Sequence, residues 1–157
     1  MISFTIDGGK FNFRVAGLLI HDGKLLIHRG MTDDFYALPG GRVEMFEDTE
    51  ATLLREFKEE IDADIEIERL LWVCEYFFKY EGGKVHEIGF YYLIKLKEPT
   101  KLQLESTFTA RELNDSLLEF KWVPLEEMEG VTLLPEFLKG RLNDLPATIE
   151  RVVDWEI

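Results

Sequence analysis

Three glutamates on one predicted helix carry the chemistry this chain could perform. Glu56, Glu59 and Glu60 stand at i, i+3 and i+4, the spacing that brings helical side chains together. With Leu53 at zero on a wheel of about 100° per residue, they fall at roughly 300°, 240° and 340°. They therefore flank an apolar stripe of Leu53, Leu54, Phe57 and Ile61. Like charges so placed repel, more strongly when partly buried. A hard divalent cation reverses that sign, and Mg²⁺ commonly takes one or two carboxylates together with phosphate oxygens. An acidic run alone is usually a solvated helix face. The preceding residues, Leu38-Pro39-Gly40-Gly41-Arg42-Val43-Glu44-Met45-Phe46-Glu47, argue for more. A Pro-Gly-Gly turn lets backbone approach a ligand closely, because glycine has no Cβ. Glu44 and Glu47 add carboxylates between turn and helix. Arg55 can reach back to Glu47 and fix the loop on the helix.

These residues need a frame. The helix is expected over Thr49–Ile61, with Asp48 as its N-cap. Upstream, Arg14–Ile20 and Lys24–Arg29 flank Asp22-Gly23, a hairpin signal. Downstream, period-two alternation from Ile65 leads into an apolar and aromatic run ending at Tyr80. Gly82-Gly83 follows, then Val85–Leu96, predicting a long hairpin. A further strand is expected near Leu117–Val123, a short helical turn at Leu125–Met128, and a second helix over Pro135–Leu145. Strands on both sides of the first helix imply a mixed α/β or α+β class. No linker, repeat or low-complexity tract divides the 157 residues, so residues 1–157 read as one domain.

Composition narrows the partners. The chain is 46% hydrophobic and 31% charged, ordinary for a folded protein. Its net charge of −13 disfavours long nucleic acid and anionic membrane as partners, since both call for a basic surface. Residues 41–70 hold eleven acids against four bases, so over half of the excess surrounds the predicted helix. No apolar run nears the ~20 residues of a membrane span. The start lacks a signal-peptide pattern, and the single cysteine, Cys74, forms no internal disulfide. The chain is therefore read as cytoplasmic.

The spacing Gly41-x5-Glu47-x7-Arg55-Glu56-Phe57-Lys58-Glu59-Glu60 resembles the Nudix box, which would span residues 41–63. Leu38-Pro39-Gly40-Gly41 and the Glu119–Glu127 stretch are also similar to the family. Three positions depart from it. Asp62 stands for the closing glycine and Ala63 for a bulky aliphatic, while Phe46 holds a place often glycine. A left-handed aspartate at a helix end costs on the order of 1 kcal/mol.

The resemblance implies an α/β/α sandwich with a mixed β-sheet between helices. It also implies hydrolysis of the pyrophosphate linkage in a small nucleoside diphosphate derivative: a nucleoside triphosphate, ADP-ribose or another nucleotide sugar, or a dinucleoside polyphosphate. Mg²⁺, or Mn²⁺ in its place, would be held by Glu56, Glu59, Glu60 and the Gly40 carbonyl. A further acid from a distant loop would join them, Glu119 or Glu112, with Glu87 behind. Glu56 or Glu59 would orient or deprotonate the water, supported by Arg55 and Glu44. Arg14 and Arg29 are candidates to face phosphate, and Tyr36 to stack on a base. Many relatives are homodimers, so a homodimer is an allowed state. The alternative is a non-catalytic nucleotide-binding sensor on the same fold, a role that usually goes with lost box carboxylates.

Overall fold

The computed structural model describes residues 1–98, 105–112 and 116–157. The strands are β1 (Ser3–Ile6), β2 (Gly9–His21), β3 (Lys24–Gly30), β4 (Gly40–Arg42), β5 (Ile65–Tyr80), β6 (Gly83–Leu96), β7 (Thr107–Arg111), β8 (Leu117–Pro124) and β9 (Glu150–Trp155). One α-helix, α1 (Thr49–Ile61), lies between β4 and β5. The strands run in the order β7-β8-β3-β2-β6-β5-β9, with β1 and β4 both paired to β2. The sheet is mixed: β2–β6 and β5–β9 are parallel and the other pairs antiparallel. The α/β expectation holds.

Both hairpins form where turn residues tolerate positive φ. Asp22 (φ 51) and Gly23 (φ 74) close β2–β3. The β5–β6 turn uses Glu81 (φ 51) and Gly82 (φ 79), one residue earlier than the Gly-Gly pair suggests, because Tyr80 pairs with Gly83. β2 and β3 pair only at Ile20↔Leu25 and His21↔Lys24 and then diverge. The segment 37–42 bridges the gap: Ala37 pairs with His28 on β3 and β4 pairs with β2. The glycine turn thus sits in a seam of the sheet.

The core lies on both faces. On one, Leu53, Phe57 and Ile61 of α1 pack with Val15, Leu26, Tyr92 and Phe120. On the other, Leu138 and Leu142 pack with Leu18, Trp72 and Tyr91. The second covering element is shorter than expected. Instead of an α-helix over Pro135–Leu145, a 3-10 helix spans Glu136–Arg141. Gly140 weakens helix propagation, and Asn143, Asp144 and Pro146 favour turns over a continued helix. A second 3-10 helix, Leu125–Gly130, takes the place of the short turn. Among the described residues no helix is long and apolar enough to cross a membrane.

Candidate active site

α1 begins as the sequence predicts. Asp48 is the N-cap, its side chain accepting from Ala51 N at 2.8 Å. It ends on Asp62 in the left-handed region (φ 51, ψ 40), where Asp62 N donates to Lys58 O and Ala63 N to Phe57 O. Lys58 Nζ lies 3.0 Å from the Asp62 carboxylate and offsets its unfavourable position at the helix C-terminus. The closing glycine is thus replaced without loss of the helix exit.

The helix is rotated from the stripe read off the sequence. Leu54 is 44% exposed, whereas Thr52 is fully buried. The buried arc runs from Thr52 through Leu53 to Phe57 and Ile61, so Glu56 and Glu60 lie within it rather than beside it. Thr52 earns its place by donating to Glu47 Oε1 at 2.7 Å. That carboxylate also receives Arg55 Nε at 2.9 Å and Nη2 at 2.8 Å, a bidentate pair of the strong kind. Arg55 Nη1 reaches Glu56 at 3.0 Å and Glu59 at 3.2 Å. The Arg55 hydrogen bonds, then that from Thr52, pull Glu47 down to about 2. The contribution of the Glu47 carboxylate is complete above its usual 4.5 and lost only as pH falls through about 2.

The two glycines meet different neighbours. A Cβ on Gly41 would stand 2.6 Å from Glu56 Cγ and 2.7 Å from its Oε1. The Glu56 carboxylate therefore lies directly on Gly41. A Cβ on Gly40 would strike the Val15 carbonyl oxygen and stand 2.7 Å from Ala16 Cα. Register fixes where the Gly40 carbonyl points. Val43 N bonds Phe13 O and Gly17 N bonds Pro39 O, so hydrogen-bonded pairs fall at 13/43, 15/41 and 17/39. Gly40, opposite Ala16, occupies the alternate pair, and its carbonyl is left out of the ladder.

The remaining candidates divide. Arg29 and Glu119 are cross-strand partners, 3.2 Å apart, and the Tyr36 hydroxyl donates to Glu119 Oε1 at 2.9 Å. Arg29 also lies over the Tyr36 ring, 5.4 Å from its centre. These three form one network. Leu118, Phe120 and Trp122 face α1, so Glu119, between them on β8, points to the opposite face, away from Glu56 and Glu60. Glu44 pairs with the N-terminal amine of Met1, not with the Arg55 cluster. Glu112 is the distant acid brought near the helix, close enough for its charge to act on Glu60. Arg14 donates to Leu38 O at 2.6 Å, and its charge acts on Glu60 as well.

A profile of the NUDIX domain matches residues 11–143. The chain belongs to the Nudix family. Solved structures agree in fold. A UDP-X diphosphatase is 18% identical with a TM-score of 0.59, over 90% of this chain and 66% of its own. An ADP-ribose pyrophosphatase from Streptococcus suis is 14% identical with a TM-score of 0.57, over 91% and 98%. A Nudix hydrolase from Nitrosomonas europaea is 17% identical with a TM-score of 0.59, over 90% and 77%. The chain spans about two thirds of the first of these. No curated protein matches the sequence. As a Nudix hydrolase, the chain is an enzyme of the family that cleaves pyrophosphate linkages.

The Nudix box offers donors suited to a hard cation, the carboxylates of Glu56, Glu59 and Glu60, and just before it stands the Gly40 carbonyl, left out of the β2–β4 ladder. As the side chains stand, no three acid, histidine or cysteine groups among the described residues encircle an ion, because Arg55 holds Glu56 and Glu59. Glu60 shows the stress of this state. Its pKa lies well above the usual carboxylate range, first from burial, then from the charge of Glu56 and the hydrogen bond with it, and then from Glu112. A raised acid favours the folded state while protonated, and that contribution is lost as pH rises through the raised value. The melting temperature of cation-free protein should therefore fall as pH rises from the usual 4.5 towards about 9. Glu60→Gln should flatten the fall, and Mg²⁺ should oppose it in wild type. Parallel melting curves for wild type and variant would contradict this origin.

Proposed function

We propose that the protein hydrolyses the pyrophosphate linkage of a small nucleoside diphosphate derivative with Mg²⁺, or Mn²⁺ in its place. The observation that carries this reading is the Glu56 carboxylate lying on Gly41 beside half-buried Glu60, where crowded acids adjoin a glycine carbonyl left out of the ladder. Glu56, Glu59, Glu60 and Gly40 would hold the cation. Bound there, it supplies neutralisation of the diphosphate and acidifies water. Glu56 or Glu59 accepts the proton of the attacking water. Arg55 orients both, anchored in turn by Glu47. Arg14 is placed to meet phosphate, opposing the repulsion that a net charge of −13 sets against a polyanion. We read Arg29, Tyr36 and Glu119 as a wall that shapes the substrate cleft, with no metal role for Glu119 and no catalytic role for Glu44. A small nucleotide suits this acidic surface better than long nucleic acid. Residues 1–157 are taken as one cytoplasmic domain.

A screen of nucleoside triphosphates, nucleotide sugars and dinucleoside polyphosphates with Mg²⁺, identifying both products, tests the reading. Cleavage at the diphosphate supports it. Nucleotide binding without cleavage would favour the sensor alternative and overturn it.

A further inference from the structure

Glu87 on β6 stands opposite Asn12 on β2, on the sheet face away from α1. Both are polar yet buried, 6% and 5% exposed. Asn12 donates Nδ2 to Glu87 Oε2 at 3.4 Å and accepts from Ser3 Oγ at 2.8 Å. Among the described residues no other donor reaches the carboxylate. Glu87 Oε1 thus keeps acceptor capacity that no protein group among the described residues takes up. An unsatisfied buried acceptor costs roughly 1–3 kcal/mol, more when charged, and an apolar residue would fill the row at less cost.

The surroundings indicate what would satisfy it. Arg14 and Arg42 are cross-strand partners on β2 and β4. The charges of both act on Glu87, yet neither forms an ion pair with it among the described residues. Arg14 also acts on Glu60, and on β2 it stands two residues from Asn12, on the same sheet face as Glu87. A nucleotide carries the complementary pattern: anionic phosphate, then a neutral moiety rich in hydrogen-bond donors. We propose that Glu87, braced by Asn12, is the specificity residue for the nucleoside half of the substrate, accepting two adjacent donors while Arg14 and Arg42 hold the neighbouring phosphate. This rests on the hydrolase reading above. Two nucleoside groups offer such a donor pair: the ribose 2′,3′-diol, and the ring N–H with the 2-amino group of guanine.

The test uses GMP, IMP (which lacks the 2-amino group) and 2′,3′-dideoxy-GMP, whose binding requires no turnover. Calorimetry on wild type should show discrimination of at least about tenfold between GMP and one analogue. Glu87→Gln should erase it, weakening GMP at least about tenfold and the analogue less than about threefold. Loss with IMP identifies the base edge, and loss with the dideoxy nucleotide identifies the diol. Glu87→Asp, which withdraws the carboxylate by one methylene, should reduce the same discrimination and serves if the glutamine variant fails to fold. Unchanged relative preference in a folded variant overturns the proposal, as does a wild type that binds none of the three or discriminates neither analogue. Discrimination without hydrolysis of any diphosphate would instead sink the hydrolase reading alone. Hydrolysis without discrimination would sink this one alone.

Discussion

Glu59→Gln should lower turnover by at least ~100-fold, the usual scale for a residue that moves a proton or orients the attacking water. The fold should be untouched. Glu59 is 38% exposed and makes a 3.2 Å ion pair with Arg55, and exposed pairs of this kind contribute about 1 kcal/mol or less. The change removes charge while keeping shape, so binding of nucleotide in the absence of Mg²⁺ should persist. Steady-state kinetics beside a thermal melt decide the matter. Near wild-type turnover would remove Glu59 from the reaction, and a collapsed melting temperature would make the loss uninformative about chemistry.

The second large effect separates two adjacent glycines. Gly40→Ala should destabilise the protein by about 3 kcal/mol or more, because its Cβ meets backbone that cannot yield without opening β4 from β2. For a chain of this size that is a fall in melting temperature on the order of 10 °C. Gly41→Ala should leave stability within about 1 kcal/mol, because the obstacle is the flexible end of Glu56. Its cost should fall on turnover, roughly tenfold or more, since a misplacement of about 1 Å in a catalytic group is enough for that. Equal losses of stability in the two variants would show that Glu56 is not seated on Gly41 as described.

Local signals made much of this protein legible without tertiary information. The N-cap Asp48, the span of α1, the Asp22-Gly23 turn and the pairing of Arg55 with Glu47 all depend on residues close in the chain, where sterics and short hydrogen bonds decide. The rotation of α1 was not legible, because Leu54 and Thr52 exchange burial only when Thr52 finds Glu47 and the helix meets the seam between β2 and β3. Asn12 and Arg14 alternate with apolar neighbours along β2 and share one face of the sheet. They line a covered face only because β6 and its Glu87 lie alongside, more than seventy residues later in the chain.

The sequence by itself determined the acids and the helix that gathers them, since i, i+3 and i+4 are fixed by helical geometry. The tertiary structure decided which acids face one another. It sent Glu119 to Arg29 and Tyr36 on one face and brought Glu112 toward Glu60 on the other, because successive strand residues point to opposite faces and only pairing across β3, β7 and β8 sets which face is which.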